Sequence, residues 1–70
     1  MEKSNDILAA ERYEAEAEEY ERRAIRTEQE LSGYPRNARK ARRQAMRHIE
    51  QLRGAAREAT ALAKSHRARG

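Results

Sequence analysis

The chain has 70 residues and no cysteine, which limits it to one small domain covering residues 1–70 and excludes disulfides and thiolate metal sites. Its composition is 40% charged and 37% hydrophobic, the net charge is +4, and 14 of the apolar residues are alanine. No stretch approaches the ~20 apolar residues of a membrane-spanning helix. We therefore expect a helical protein of the cytoplasm, with no membrane partner and little core of its own.

The first predicted helix runs from about residue 5 to residue 32. Ser4 is placed to cap it, and Asp6 lies near the positive end of its dipole. Residues 1–32 carry ten acids and five bases, so this helix is acidic. Small and large residues alternate along it with the 3-4 spacing of a coiled-coil seam. The predicted seam comprises Ala10, Tyr13, Ala17, Tyr20, Ala24, Thr27, Leu31 and Tyr34.

A turn is predicted at residues 32–35, because Gly33 favours the left-handed conformation that ends many helices and Pro35 suits the first turn of the next helix. The second predicted helix spans about residues 36–67 and carries two overlapping stripes with 3-4 spacing. The first stripe comprises Ala38, Ala41, Ala45, His48, Leu52, Ala55, Ala59, Leu62 and His66. The second comprises Ala45, Ile49, Leu52, Ala56, Ala59 and Ala63. Away from both, Gly54, Ala61 and Ala68 repeat every seven residues, either as plain alanine-rich helix or as a second interface.

Two long helices joined by a short turn are expected to form an all-α antiparallel hairpin. With so few large apolar side chains, a single hairpin is expected to be marginally stable. We therefore predict self-association, most simply as a homodimeric, coiled-coil-like four-helix bundle, with a higher oligomer as the other option. Head-to-tail pairing would set each basic turn against the partner's acidic helix. The predicted oligomer interface comprises Tyr13, Ala17, Tyr20, Ala24, Leu31, Ala45, Ile49, Leu52, Ala59 and Leu62.

The start of the second helix is the most informative segment, because residues 33–70 carry eleven bases and two acids. The hairpin is expected to place Arg36–Arg47 beside residues 20–31. Within this segment, like charges one helical turn apart repel each other and indicate an anionic partner. A straight stripe is predicted for Arg36, Lys40, Arg43 and Arg47. The whole predicted binding site comprises Arg36, Arg39, Lys40, Arg43 and Arg47, with Arg22, Arg23 and Arg26 nearby.

Catalytic and metal chemistry have little support. The sequence has no Gly-rich phosphate loop, and the adjacent Ser65 and His66 would point about 100° apart on a helix. Neither histidine has a glutamate three residues before it, as carboxylate-bridged bundle sites require. We therefore predict no enzyme activity, no cofactor and no metal site. His48 and His66 are interpreted as packed or interfacial residues, with a metal ligand or pH switch as the alternative.

These features predict a small non-enzymatic regulatory protein that binds the phosphate backbone of RNA or DNA through its Arg-rich helix face. The alternative is a helical protein–protein interaction module, such as an adaptor, inhibitor or assembly subunit, that docks on an acidic protein surface. Both hypotheses use the same basic residues and differ in the partner.

Overall fold

The fold is a hairpin of two long helices. A computed structural model describes residues 2–70 and contains α1, Asn5–Ser32, and α2, Arg39–Arg69, packed side by side in a molecule 57 Å long. Residues 2–70 contain no strand. The all-α antiparallel hairpin predicted from the sequence is therefore confirmed. Within this range, neither helix contains a run of apolar residues long enough to cross a membrane.

The start of α1 follows the sequence prediction. The Ser4 hydroxyl oxygen accepts a hydrogen bond from the backbone N–H of Ile7 at 3.2 Å, which satisfies one of the free donors of the first turn. Asp6 lies in that turn, where the helix dipole favours a negative charge.

The end of α1 differs from the prediction in its backbone. Gly33 has φ −87°, so it is right-handed, and no residue from 2 to 70 adopts a positive φ. The helix closes instead with hydrogen bonds in which Gly33 N–H donates to the Glu30 carbonyl and Tyr34 N–H donates to the Leu31 carbonyl, each at 3.1 Å. Because this ending needs no left-handed residue, the predicted role of Gly33 is wrong. Tyr34 lies outside α1 and is exposed, so it does not belong to the seam.

The second helix begins three residues later than the predicted start at about residue 36. Pro35 to Ala38 form a separate turn, in which Ala38 N–H donates to the Pro35 carbonyl at 3.1 Å. A helix starting at Pro35 would carry Arg36, Arg39 and Lys40 near its positive dipole end with no acid to offset them, which disfavours the longer helix. Arg36 therefore lies in the turn, and the predicted straight stripe is reduced to Lys40, Arg43 and Arg47.

The buried seam between the helices is built mainly from alanine. On α1 the alanines of the predicted seam are confirmed, since Ala10 and Ala24 are fully buried. Tyr13 and Tyr20 are half-buried beside them. Small side chains let the two backbones approach closely, while the tyrosines cover the edges. Within residues 2–70 the buried apolar set is Ala10, Ala17, Ala24, Ile49, Leu52, Ala56, Ala59 and Ala63.

On α2 the hairpin buries the second of the two predicted stripes. Ile49, Ala56 and Ala63 lie in the seam, whereas Ala41, His48 and Leu62 of the first stripe are exposed. The prediction that His48 is a packed residue is therefore not met within the hairpin, and Leu62 stays 44% exposed. The first stripe remains a row of apolar side chains that α1 does not cover.

The register of the hairpin corrects the predicted position of the basic segment. Glu28 pairs with Arg53, and Leu31 shares a groove with Met46 and Ile49. Residues 20–31 therefore face about residues 49–60, rather than the segment Arg36–Arg47. Most of that segment lies beyond the level of Leu31, at the tip of the hairpin.

Replacing Gly54 with alanine is expected to stabilise the protein by about 1 kcal/mol, because glycine costs that much in the middle of a helix. A Cβ added at Gly54 meets nothing within 4 Å. Urea unfolding followed by circular dichroism measures the change. The matched control is Gly33→Ala, where a Cβ would lie 3.4 Å from the Glu30 carbonyl oxygen and no gain is expected. A Gly54→Ala protein no more stable than the original would contradict this prediction. It would indicate that the row of Gly54, Ala61 and Ala68 packs closely against another surface.

Candidate anion-binding tip

The turn end of the hairpin concentrates positive charge. Residues 22–47 contain nine basic and two acidic residues, whereas residues 2–21 contain eight acidic and two basic ones. We call the cations around the turn and the first turns of α2 the basic tip. It comprises Arg36, Arg39, Lys40, Arg43 and Arg47, all of them exposed.

The side chains of the basic tip are not neutralised by the hairpin. Within the range 2–70, none of them lies within 4.0 Å of a carboxylate oxygen, and the same is true of Arg26 on α1. Arg22 and Arg23 differ, because both bind Glu19, at 3.0 and 3.1 Å. The predicted site therefore divides into six cations with free charge and two that already have a partner.

The start of α2 increases this local excess of positive charge. Ala38 offers no side-chain cap, the first turn has no acidic residue, and Arg39 and Lys40 lie where the helix dipole is already positive. Cations at this end of a helix destabilise it, and an anion bound close by relieves the repulsion. Arg42 is half-buried on the line of the seam, so it contributes less to the exposed surface than its neighbours.

Two arginine–glutamate pairs across the helices lie elsewhere, along one side of the hairpin. Arg67 makes a bidentate ion pair with Glu14, in which Nε and Nη2 donate to the two carboxylate oxygens at 2.5 and 2.6 Å. Arg53 pairs with Glu28. Sequence analysis missed these pairs because they depend on register. The signal is the spacing, since Glu14, Glu21 and Glu28 repeat every seven residues and Arg53 and Arg67 are fourteen apart. We call this side the ion-pair face.

The carboxylates on α1 respond to their arginine partners. Hydrogen bonds from Arg67 lower the pKa of Glu14 below its ordinary value of 4.5, and bonds from Arg22 and Arg23 do the same to the pKa of Glu19. Because these pKa values are lower in the folded protein, the stabilisation is complete above pH 4.5 and is lost as the pH falls through the lowered pKa. Arg22 binds Glu19, three residues before it, rather than Glu18, four residues before it.

The open end of the hairpin holds the more buried histidine. His66 Nδ1 lies 2.8 Å from Asp6 Oδ1, and its ring stacks on Tyr13 with centroids 5.6 Å apart. Arg69 approaches the same carboxylate at 3.9 Å. These contacts fasten the last turn of α2 to the first turns of α1. The interpretation of His66 as a packed residue is consistent with this arrangement.

The residues predicted as an oligomer interface fall into two groups. Ala17, Ala24, Ile49, Leu52 and Ala59 are buried by the chain's own two helices. Tyr13, Tyr20, Leu31, Ala45 and Leu62 keep part or much of their surface exposed. The first group closes the hairpin itself, and the second group is available to a further helix.

Across residues 2–70 no three His, Cys, Asp or Glu side chains are grouped so as to hold a metal ion. Comparison of the chain with models of known protein families, with characterised proteins and with solved structures finds no match.

Proposed function

We propose that the protein is a small, non-enzymatic nucleic-acid-binding regulator that holds phosphates with its basic tip. The observation that carries the proposal is the exposed cluster at the turn, whose cations have no carboxylate within 4.0 Å in residues 2–70. Uncompensated arginines one helical turn apart cost folding stability, so they are expected to serve a partner with matching negative charge. Guanidinium groups match the geometry of phosphate oxygens.

The mechanism is neutralisation of the phosphate backbone with release of its counterions. Lys40, Arg43 and Arg47 share one face of α2, over a length of about 10 Å. The turn adds Arg36 from outside the helix. Within residues 2–70, none of these side chains is fixed by a hydrogen bond to a neighbouring side chain, so they are free to follow a phosphate backbone. The binding is therefore expected to depend on shape and charge rather than base sequence.

Self-association is the second part of the proposal. The hairpin buries mostly alanine, and residues 2–70 contain no large side chain that is fully buried. Such a core gives little hydrophobic stabilisation, because each fully buried large apolar side chain contributes only ~1.5–3 kcal/mol. We therefore propose that two copies pair as a four-helix bundle, which would cover the half-exposed tyrosines and Leu62.

Binding of a generic DNA duplex and of a structured RNA at about 50 and 200 mM salt tests the nucleic-acid proposal. With four to six phosphate contacts, the affinity is expected to fall about a hundredfold to a thousandfold between the two salt concentrations. Fluorescence anisotropy of labelled oligonucleotides measures it. No binding at the lower salt would refute the proposal and favour the alternative, in which the basic tip docks on an acidic protein surface.

A further inference from the structure

The hairpin has two unlike broad sides. The ion-pair face is bridged by Glu14–Arg67 and Glu28–Arg53. The opposite side holds a groove lined by Tyr13, Tyr20, Ala55, Ala59 and Leu62, with Glu16 and Glu58 at its rim. We call this groove side the tyrosine face. At the open end of this face, Asp6 pairs with His66, whose ring stacks on Tyr13, and with Arg69. In residues 2–70 no ion pair bridges the helices across the groove itself, so the apolar surface around Tyr20 and Leu62 stays open.

The tyrosine face coincides with the stripe of α2 that the hairpin leaves unused. Ala41, His48, Ala55 and Leu62 repeat every seven residues and are exposed or half-buried. They share 3-4 spacing with Ala45, Leu52, Ala59 and His66, which border the seam. A stripe of this length with coiled-coil spacing fits a packed helix, and α1 does not occupy it.

Charge along this face indicates what covers it. Glu16 and Arg23 are seven residues apart on one line of α1, with Tyr20 about midway between them. A second copy running in the opposite direction, related by a two-fold axis near Tyr20, sets the acid of one copy beside the base of the other.

The size of the face is sufficient for such a contact. The hairpin measures 57 Å by 17 Å across its two helices. Stable interfaces bury roughly 800 Å² on each partner, which a face of this size supplies if most of it is covered. Tyrosine is also enriched at protein–protein interfaces.

We infer that the tyrosine face is the self-association surface and that it binds a second copy of the chain in antiparallel orientation, with the two basic tips at opposite ends. The inference deepens the self-association proposed above by assigning its face and direction. The ion-pair face then lies on the outside of the bundle. Each copy keeps its own basic tip exposed, so pairing does not compete with phosphate binding.

Leu62→Glu is expected to separate the copies, because it places an unpaired charge in the proposed contact. The matched control is Ile25→Glu, which adds the same charge at an apolar residue 51% exposed on α1, outside the groove, compared with 44% for Leu62. Sedimentation without nucleic acid should give about twice the 8.1 kDa chain mass for the original protein and Ile25→Glu. Leu62→Glu should sediment as a monomer of unchanged helicity, with dimer affinity reduced about a hundredfold or more.

The remaining outcomes of the sedimentation experiment would refute either self-association or the assigned face. A monomeric original protein refutes self-association and leaves the face to a different protein, while the salt-dependent binding test is unaffected. A dimeric Leu62→Glu, or loss of the dimer in both variants, refutes the assigned face alone. Should Leu62→Glu lose its helices, the milder Leu62→Gln carries the same comparison.

Orientation is tested separately in the otherwise unchanged chain. A spin label on Asn37→Cys, the only thiol in such a protein, reports the distance between the two turns. Antiparallel pairing centred near Tyr20 predicts about 50 Å between labels, from ~1.5 Å per helical residue. A distance below roughly 20 Å would place the turns side by side and overturn the antiparallel arrangement.

Discussion

Replacing Lys40, Arg43 and Arg47 together with alanine is expected to weaken duplex binding about a hundredfold near 100 mM salt and to make the salt slope shallower by about three. The reason is that each lost phosphate contact removes close to one released counterion. These three residues are exposed on one face of α2 and have no carboxylate partner in the described range 2–70. Anisotropy titrations at several salt concentrations give both the affinity and the slope.

The chain offers a closely matched control for this experiment. Arg12, Arg57 and Lys64 are also two arginines and one lysine, are exposed, and have no carboxylate within 4.0 Å in the described part of the chain. They lie away from the turn. Their triple alanine variant has the same net charge as the tip variant, so it is expected to lose only a few-fold in affinity and to keep its salt slope. Equal losses in the two variants would show that net charge, rather than the basic tip, directs binding.

Leu52→Ala is expected to cost about 2–4 kcal/mol, since truncating a buried leucine removes its transfer free energy and leaves a cavity. Leu52 is 7% exposed and is one of two buried residues larger than alanine in residues 2–70. A loss of this size is a large fraction of the stability of a small domain. Urea unfolding at a fixed protein concentration, followed by helicity, measures the loss, and partial unfolding near 37 °C is expected.

Leu8→Ala is the control for the core variant. Leu8 is 53% exposed on α1, so the same truncation removes little buried surface and is expected to change stability by less than about 0.5 kcal/mol. If the two variants lost equal stability, the seam would not be the main source of stability. Comparison at several protein concentrations separates hairpin stability from self-association.

Much of the architecture could be predicted from local chemistry. The cap at Ser4, the break near Gly33 and the 3-4 repeat of Ala10, Ala17 and Ala24 each depend on residues close together in the chain. The exposure of the basic segment is equally local, because residues 36–47 hold six cations and most of these cannot enter an apolar seam. The predicted start of α2 was less accurate. Pro35 alone would permit a longer helix, but the cations at the start of α2 disfavour it.

The sequence by itself determined that this protein is a helical hairpin with an acidic helix, a basic turn and an alanine-rich seam. Only the tertiary structure decided which stripe of α2 enters that seam and which carboxylate each arginine binds. The physical reason is that the two stripes share Ala45, Leu52 and Ala59 and differ only by a rotation of α2 about its axis. That rotation depends on the fit of both helices at once, including Glu14–Arg67 and the fastening of His66 to Asp6. The stripe left outside the seam is the one proposed to bind a second copy.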